Sequence, residues 1–314
     1  MNLTRRDFGR ICAAGLLFPA TLRFARGAGL LTWEARPSSG TGGERRYRAD
    51  AQVLLFSIPV LRRAGVGDGS AAWHDSEGEG RAVRLLEFNG RSLPERAAGL
   101  NRLGFIQELS EQAELAAPQS IYFGLMTSSP EESAEDARKA LHSKAAEVDY
   151  SAIEGRVAEG SMETASARFI APASLSARSG ELIQRARQAL SGVPRRTAPL
   201  APSDGSVRPF LHALAELLIH PGGGETRYVY AGRLYHLRVE TAADPKAAAV
   251  FRARGLLRGS GKALRVEGRL HREEGGKTTD FRLWIEEGDP RPIPLRIEFQ
   301  PKSYLRLTFE AEPA

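Results

Sequence analysis

Sulfur is nearly missing from this chain, which has one cysteine and three methionines among 314 residues. The cysteine, Cys12, sits in a segment read below as a removable signal. The mature protein then has no thiol, which excludes disulfides, thiolate metal sites and cysteine nucleophiles. Long apolar runs are short of a membrane span. Ile11 to Leu22 is the relevant run at 12 residues, against the roughly 20 that a spanning helix needs, and Pro19 and Arg23 weaken it further. No Gly-x-Ser-x-Gly nucleophile elbow occurs. A basic block is also missing from the body of the chain. Residues 1–28 hold five arginines and one aspartate, a net +4 of the total +6, so the remainder carries only +2. A nucleic-acid binder would keep a basic patch there. The pairs Arg45-Arg46, Arg62-Arg63 and Arg195-Arg196 are isolated and read as solvated, so no nucleic-acid partner is expected.

What is present begins at the N-terminus. Arg5 and Arg6, with Phe8 two positions on, precede the short apolar run. A positive start, a short apolar centre and small residues after it make an export signal, and the arginine pair resembles the twin-arginine address. The expected partner is the twin-arginine export machinery, and the expected location is the periplasm after cleavage near residue 28. An uncleaved signal acting as a membrane anchor is the alternative. Cys12 lacks the Leu-x-Gly that a lipoprotein would place before it.

Residues 29–46 are rich in Gly, Ser, Pro and charge and read as a flexible leader. A single β-rich domain is expected over 47–314, with a mixed helical and strand elaboration at about 90–200 and a meander over 204–314. Tyr47 to Val60 reads as one strand, Val66 to Gly69 as a turn, and Arg81 to Phe88 as a strand closed by an Asn89-Gly90 hairpin turn. Strands are expected at 119–126, 150–157 and 162–170. Ser129-Pro130-Glu131-Glu132 marks a helix start, and a second helix is expected over 180–190. Val193 to Ser203, with three prolines, reads as a linker. Phe210, Leu211, Leu214, Leu217 and Leu218 fall on one face of a helix over 206–219.

The last ninety residues alternate apolar and polar positions between tight turns, the pattern of an antiparallel meander with one buried face. Strands are expected at 226–229, 234–239, 251–257, 263–271 and 279–286. Two more centre on Leu295, Ile297, Phe299 and on Leu305, Leu307, Phe309. The upstream helix is the natural cover for the apolar face.

Phe281-Arg282-Leu283-Trp284-Ile285, the acidic turn at Asp289, Pro292-Ile293-Pro294-Leu295-Arg296-Ile297-Glu298 and Leu305-Arg306-Leu307 resemble a large exported family of unknown function from Gram-negative bacteria. Phe210 to Tyr235 and Tyr47 to Gly67 are similar to its helix with Gly-turn hairpin and to its opening strand pair. The resemblance implies a curved antiparallel half-barrel like that of the periplasmic lipoprotein-localisation factors. It carries no catalytic residues. By analogy of fold it implies a groove for an acyl chain or other apolar ligand.

Other candidates are weaker. Gly259-Ser260-Gly261-Lys262 and Gly275-Gly276-Lys277-Thr278 lack the first glycine of a phosphate loop and read as hairpin turns. His212, Glu216 and His220 share one helix face at a spacing that can bind zinc, but read as a solvated polar face. Trp33, Trp73 and Trp284 read as core or groove wall. Trp284 alternates away from Leu283 and Ile285 and needs cover from the middle segment or a partner.

The expected fold is therefore α+β and mainly β, a curved antiparallel half-barrel with one or two helices across its concave side. The concave lining would come from Leu283, Ile285, Ile297, Phe299, Leu307 and Phe309. No catalytic residue, cofactor or metal is expected. Two functions stay open: a non-enzymatic binder of a lipid-like ligand or envelope-biogenesis factor, and a partner-binding module whose concavity is filled by its own helix. A hydrolase is a distant third.

Overall fold

A computed structural model describes residues 31, 33, 41–55, 58–78, 81–97, 101–111, 118–128, 147–158, 160–177, 179–201, 207–220, 222–273, 276, 278–302 and 305–313. The export signal, Arg5, Arg6 and Phe8 included, and the helix expected after Ser129 lie outside them. No helix among the described residues is long and apolar enough to cross a membrane.

Fifteen described strands form one sheet: β1 (Thr41–Leu55), β2 (Ile58–Gly78), β3 (Arg81–Ser92), β4 (Leu103–Glu111), β5 (Ser120–Thr127), β6 (Glu147–Ala158), β7 (Ser161–Pro172), β8 (Arg196–Pro199), β9 (Arg208–Pro209), β10 (Gly224–Tyr230), β11 (Arg233–Ala243), β12 (Ala263–Arg272), β13 (Thr278–Glu286), β14 (Arg296–Lys302) and β15 (Leu305–Ala311). Their order is β8-β7-β6-β5-β4-β3-β2-β1-β15-β14-β13-β12-β11-β10-β9. Two meanders are thus joined by the pairing of β1 with β15, Tyr47 opposite Ala311 and Val53 opposite Leu305. Every pairing is antiparallel except the short β9–β10 one. The sheet curves strongly and stays open between β8 and β9.

Three α-helices accompany it among the described residues: α1 (Ser179–Ser191), α2 (Phe210–Ile219) and α3 (Pro245–Ala253). Of these three, α2 lies in the concavity. Its Ala213, with Phe210, Leu214 and Leu217 around it, packs on Leu237, Val266, Leu283 and Ile285. Leu211 and Ala215 meet Trp73, Leu86 and Phe309 on the other wall. A helix apolar nearly all round is what burial on all sides selects. Helix α1 covers the outer face of β4–β7. Leu182, Ala186 and Leu190, spaced by four, form its buried stripe against Phe123, Leu125 and Tyr150.

The structure changes several expectations. Tyr47 to Val60 is not one strand: β1 ends at Leu55, β2 begins at Ile58, and the two residues pair with each other. Thr41 to Arg46, expected in the leader, is already strand. Val66 to Gly69 lies within β2, after a bulge where Gly65 takes φ +62° and its N–H donates to Asp50 Oδ1 at 2.8 Å. Asn89-Gly90 is no hairpin turn but the middle of a strand pairing both β2 and β4. A Cβ at Gly90 would lie 2.9 Å from the Phe309 ring, so the glycine makes room for an aromatic side chain. Residues 90–200 are not an elaboration on the sheet; they supply β4–β8, five of its fifteen described strands. Within the expected linker, Arg196–Pro199 forms edge strand β8, where proline is tolerated because one side makes no ladder bonds. The strand expected at 251–257 is instead the end of α3 and a turn. Asp244 caps that helix, accepting from Ala247 N–H at 2.9 Å, and Pro245 stands at its first turn.

Candidate functional site

Inward-facing positions of β3–β7 carry an unusual set of polar groups for a barrel interior. Register aligns Trp73, Leu86, Glu108, Tyr122, Gly155 and Thr164 across six strands in one row. The adjacent row runs Asp75, Arg84, Ser110, Ser120. A period of two puts every member of both rows on the concave face.

Glu108 is the centre of this set. It is 1% exposed, and its carboxylate points at the first turn of α2. Oε1 accepts from Leu211 N–H at 2.9 Å and Oε2 from His212 N–H at 3.0 Å. Pro209 precedes the helix without capping it, so these orphan donors are satisfied by a residue a hundred positions upstream. A carboxylate there also complements the positive end of the helix dipole. His212, 3% exposed, places Nδ1 3.1 Å from Glu108 Oε2 and Nε2 3.1 Å from Arg84 O.

Two further ties hold α2 and its flanks to β4 and β5. Arg208 donates from Nη1 to Ser110 Oγ at 3.1 Å, and Ser110 Oγ meets Ser120 Oγ at 2.7 Å. Its Nε pairs Glu216 Oε1 at 2.5 Å. Burial pulls the Arg208 guanidinium below its usual pKa, Glu216 opposes that, and the like charge of Arg84 adds to it. Tyr122 bridges the open seam: its hydroxyl meets Thr164 Oγ1 at 3.1 Å and accepts from Gly232 N–H at 3.4 Å. Its ring lies over Gly155, where a Cβ would be 2.1 Å from a ring carbon. Burial pushes the Tyr122, Tyr228 and Tyr230 phenols up. The Tyr230 hydroxyl has no hydrogen-bond partner among the described residues and faces Gly124.

This arrangement ties α2 to the inner face of the sheet. Glu108 already faces three N–H groups. Two hollows lie elsewhere. One, about 850 Å³, is framed by Arg238, Glu240, Glu267, Arg269, Asp280 and Arg282. Those charges largely cancel in pairs, including Arg269 with Asp280 at 3.0 Å and Arg282 with Glu267 at 3.4 Å. The other, about 470 Å³, lies between Ile183 of α1 and the outer face at Asn89, Arg91 and Phe105. There Arg91 holds Asp68 at 2.7 and 3.1 Å.

The structure places the six expected groove residues on the concave face. Leu283, Ile297 and Phe309 share a row, and Phe299 and Leu307 the next. Leu283 and Ile285 lie buried beneath α2, and Phe309 is buried against Phe88 and Phe299. Ile297, Phe299 and Leu307 are half-buried. The polar helix face expected to be solvated is corrected: His212 turns inward to Glu108, Glu216 reaches Arg208, and only His220 stays exposed, its ring against Glu216 O. Trp284 is covered by α3, not by the middle segment, and donates to Asp244 Oδ2 at 2.9 Å. Trp73 is core and donates to Asp75. Trp33 packs beside α1. Glu108 was missed, because one acid in Ile106-Gln107-Glu108-Leu109 gives no sign that its face is covered by a helix a hundred residues away.

No protein-family model and no curated protein matches this chain. Among solved structures, a β-barrel-like protein of a domain of unknown function, DUF1849, from Brucella abortus is similar at a TM-score of 0.43 and 10% identity, over 86% of this chain and 96% of that one.

Proposed function

We propose that this is an exported, non-enzymatic envelope protein whose concavity is filled by its own helix and whose outer surface engages a partner. The observation that carries this reading is α2: it occupies the concave face over Leu283 and Ile285 and is tied at its first turn by Glu108. An acyl chain seated on those two side chains would have to displace α2 and strip Glu108 and His212 of each other. A lipid-binding or lipid-carrying role therefore has less support, resting on the half-buried Phe299 and Leu307 and on the sequence resemblance. Export to the periplasm through the twin-arginine machinery is supported by Arg5, Arg6, Phe8 and the short apolar run after them. Cleavage near residue 28 fits the small residues there, and an uncleaved anchor is the alternative.

The test is mass spectrometry of organic extracts of the protein purified from bacterial envelopes without detergent, with uptake of a fluorescent fatty acid measured in parallel. An empty protein that takes up no probe is expected. About one lipid per chain, lost when Phe299 or Phe309 is replaced by aspartate in a folded variant, would overturn the self-filled reading. Export is tested separately: Arg5→Lys with Arg6→Lys should hold the protein in the cytoplasm.

A further inference from the structure

Arginines gather around one buried acid on the outer face of β1 and β2. Arg48 and Asp50 alternate with Ala49 and Ala51, whose rows carry Phe309 and Leu307 on the concave side, so the two charged residues face outward. Asp50 is 2% exposed. Its Oδ1 accepts from Gly65 N–H at 2.8 Å and its Oδ2 from Arg62 Nη2 at 3.2 Å, and Arg48 Nε stands 3.7 Å from Oδ1. A third arginine arrives from the turn after β3. Leu93 N–H donates to Val66 O at 2.7 Å, and the N–H groups of Arg96 and Ala97 both fold back to Leu93 O, which sets this turn beside Gly65. A Cβ at Gly65 would lie 3.2 Å from Arg96 Nη1 and 3.8 Å from Arg48 Cδ, so both side chains approach over the same glycine.

Charge is not balanced at this point. The acids that flank Arg48 in register are Asp68 on β2 and Glu310 on β15. Both are held by other arginines, Asp68 by Arg91 and Glu310 by Arg254 and Arg296. Glu95 adds its field to Arg91. Arg96 is exposed and has no ion-pair partner among the described residues. Three guanidinium groups thus share the single carboxylate of Asp50, an excess as large as the +2 carried by all of residues 29–314. Like charges brought over one glycine repel unless an anion stands among them.

From this geometry we infer that Arg48, Arg62 and Arg96 bind a phosphomonoester group over Gly65. Such a group carries about −1.5 to −2 charges at pH 7 and three strong acceptor oxygens, which matches both the excess charge and the number of arginines. The planar guanidinium fork fits phosphate oxygens in pairs. Asp50 is spent on the Gly65 N–H and on Arg62, and it fixes the base of the site from beneath. Gly65 keeps the floor clear, since a side chain there would enter the space where Arg48 and Arg96 meet. The site lies on the opposite face from α2, so it stands apart from the self-filled concavity, and binding by the purified chain is read without the export reading.

The experiment is calorimetric titration of the full chain with glycerol 3-phosphate, a soluble phosphomonoester, with phosphatidic acid vesicles as a second arm. Saturable binding of glycerol 3-phosphate is expected, and dimethyl phosphate, a monoanion, should bind more weakly. Arg96→Gln alters an exposed side chain without an ion-pair partner among the described residues, so the fold should survive it. That variant should weaken binding by about tenfold, the loss of one charge-assisted contact, and Arg62→Gln should do the same. Added salt should weaken binding too, and Arg269→Gln, on β12, should leave it unchanged. Binding to the vesicles alone, lost in Arg96→Gln, would keep the site and assign its phosphate to a lipid headgroup. Binding of neither probe overturns the proposal, as does binding that Arg96→Gln and Arg62→Gln both leave unchanged. Either result leaves the self-filled concavity untouched.

Discussion

The carboxylate of Glu108 on β4 and the imidazole of His212 on α2 meet at 3.1 Å inside the sheet, with the backbone N–H of His212 on the same oxygen. One side chain thus caps the helix and pairs with it, and the plug is held where its own sequence supplies no cap. Removing one partner of a buried pair leaves the other uncompensated.

Glu108→Gln should therefore destabilise the fold by about 3 kcal/mol, since the amide cannot accept from all three N–H groups. Urea denaturation checks this. His212→Gln should cost less, because Leu211 N–H keeps its acceptor. Equal losses would mean that the helix cap contributes nothing.

Tyr122 and Gly155 are fitted to each other across the paired strands β5 and β6. A methyl group at Gly155 would occupy the space of the Tyr122 ring, so Gly155→Ala should cost about 1–3 kcal/mol by overpacking. In the background of Tyr122→Ala the same change should cost much less, a coupling that a double-mutant cycle would reveal. Additive losses would show that the ring can move aside freely.

Alkali should weaken the protein. Burial raises the Tyr47, Tyr122, Tyr228 and Tyr230 phenols. The folded state then keeps protons that the unfolded chain releases above about pH 10. Fewer protons on the unfolded state mean that stability falls as pH rises through that range and is intact below it. Tyr230→Phe removes a buried hydroxyl without a partner among the described residues. It should leave neutral-pH stability unchanged or raise it by up to about 1 kcal/mol, and it should flatten the alkaline loss. Urea midpoints between pH 8 and 11 decide the matter.

Asp244 joins α3 to the outer face of the sheet. Its carboxyl is held below the usual carboxylate range by the Ala247 N–H and then by the Trp284 indole. That contribution is present above about pH 4 and is lost as pH falls through the depressed value. Asp244→Ala should cost about 1–2 kcal/mol as a lost cap and shift Trp284 emission to the red. An unchanged spectrum would show that α3 stays seated without it.

Strands were legible wherever alternation was local. Tyr150 to Val157 and Met162 to Ile170 fall within β6 and β7, and the alternation around Ile297 and Leu307 falls within β14 and β15. Errors gathered where one residue had two meanings. Asn89-Gly90 carries the composition of a tight turn, yet Gly90 is there to admit Phe309 from a strand over two hundred residues away. Phe251 to Leu257 has strand-like composition, but the Asp244-Pro245 start outweighs it. The candidate site was half visible: His212 and Glu216 stood out at helical spacing, and Glu108 did not.

By itself the sequence determined the mainly β class, the meander of the last ninety residues, the positions of α1 and α2 and the lack of a thiol beyond the N-terminal segment. Each of these follows from composition or from periods of two and 3.6, which act over a few residues. Only the tertiary structure decided that the two meanders share one sheet, that α2 sits inside it, and that Glu108 reaches His212. Those outcomes turn on which strand edges pair and which faces curl together. Such choices are settled by burial and by polar groups finding partners across a hundred residues or more, and no local pattern records them.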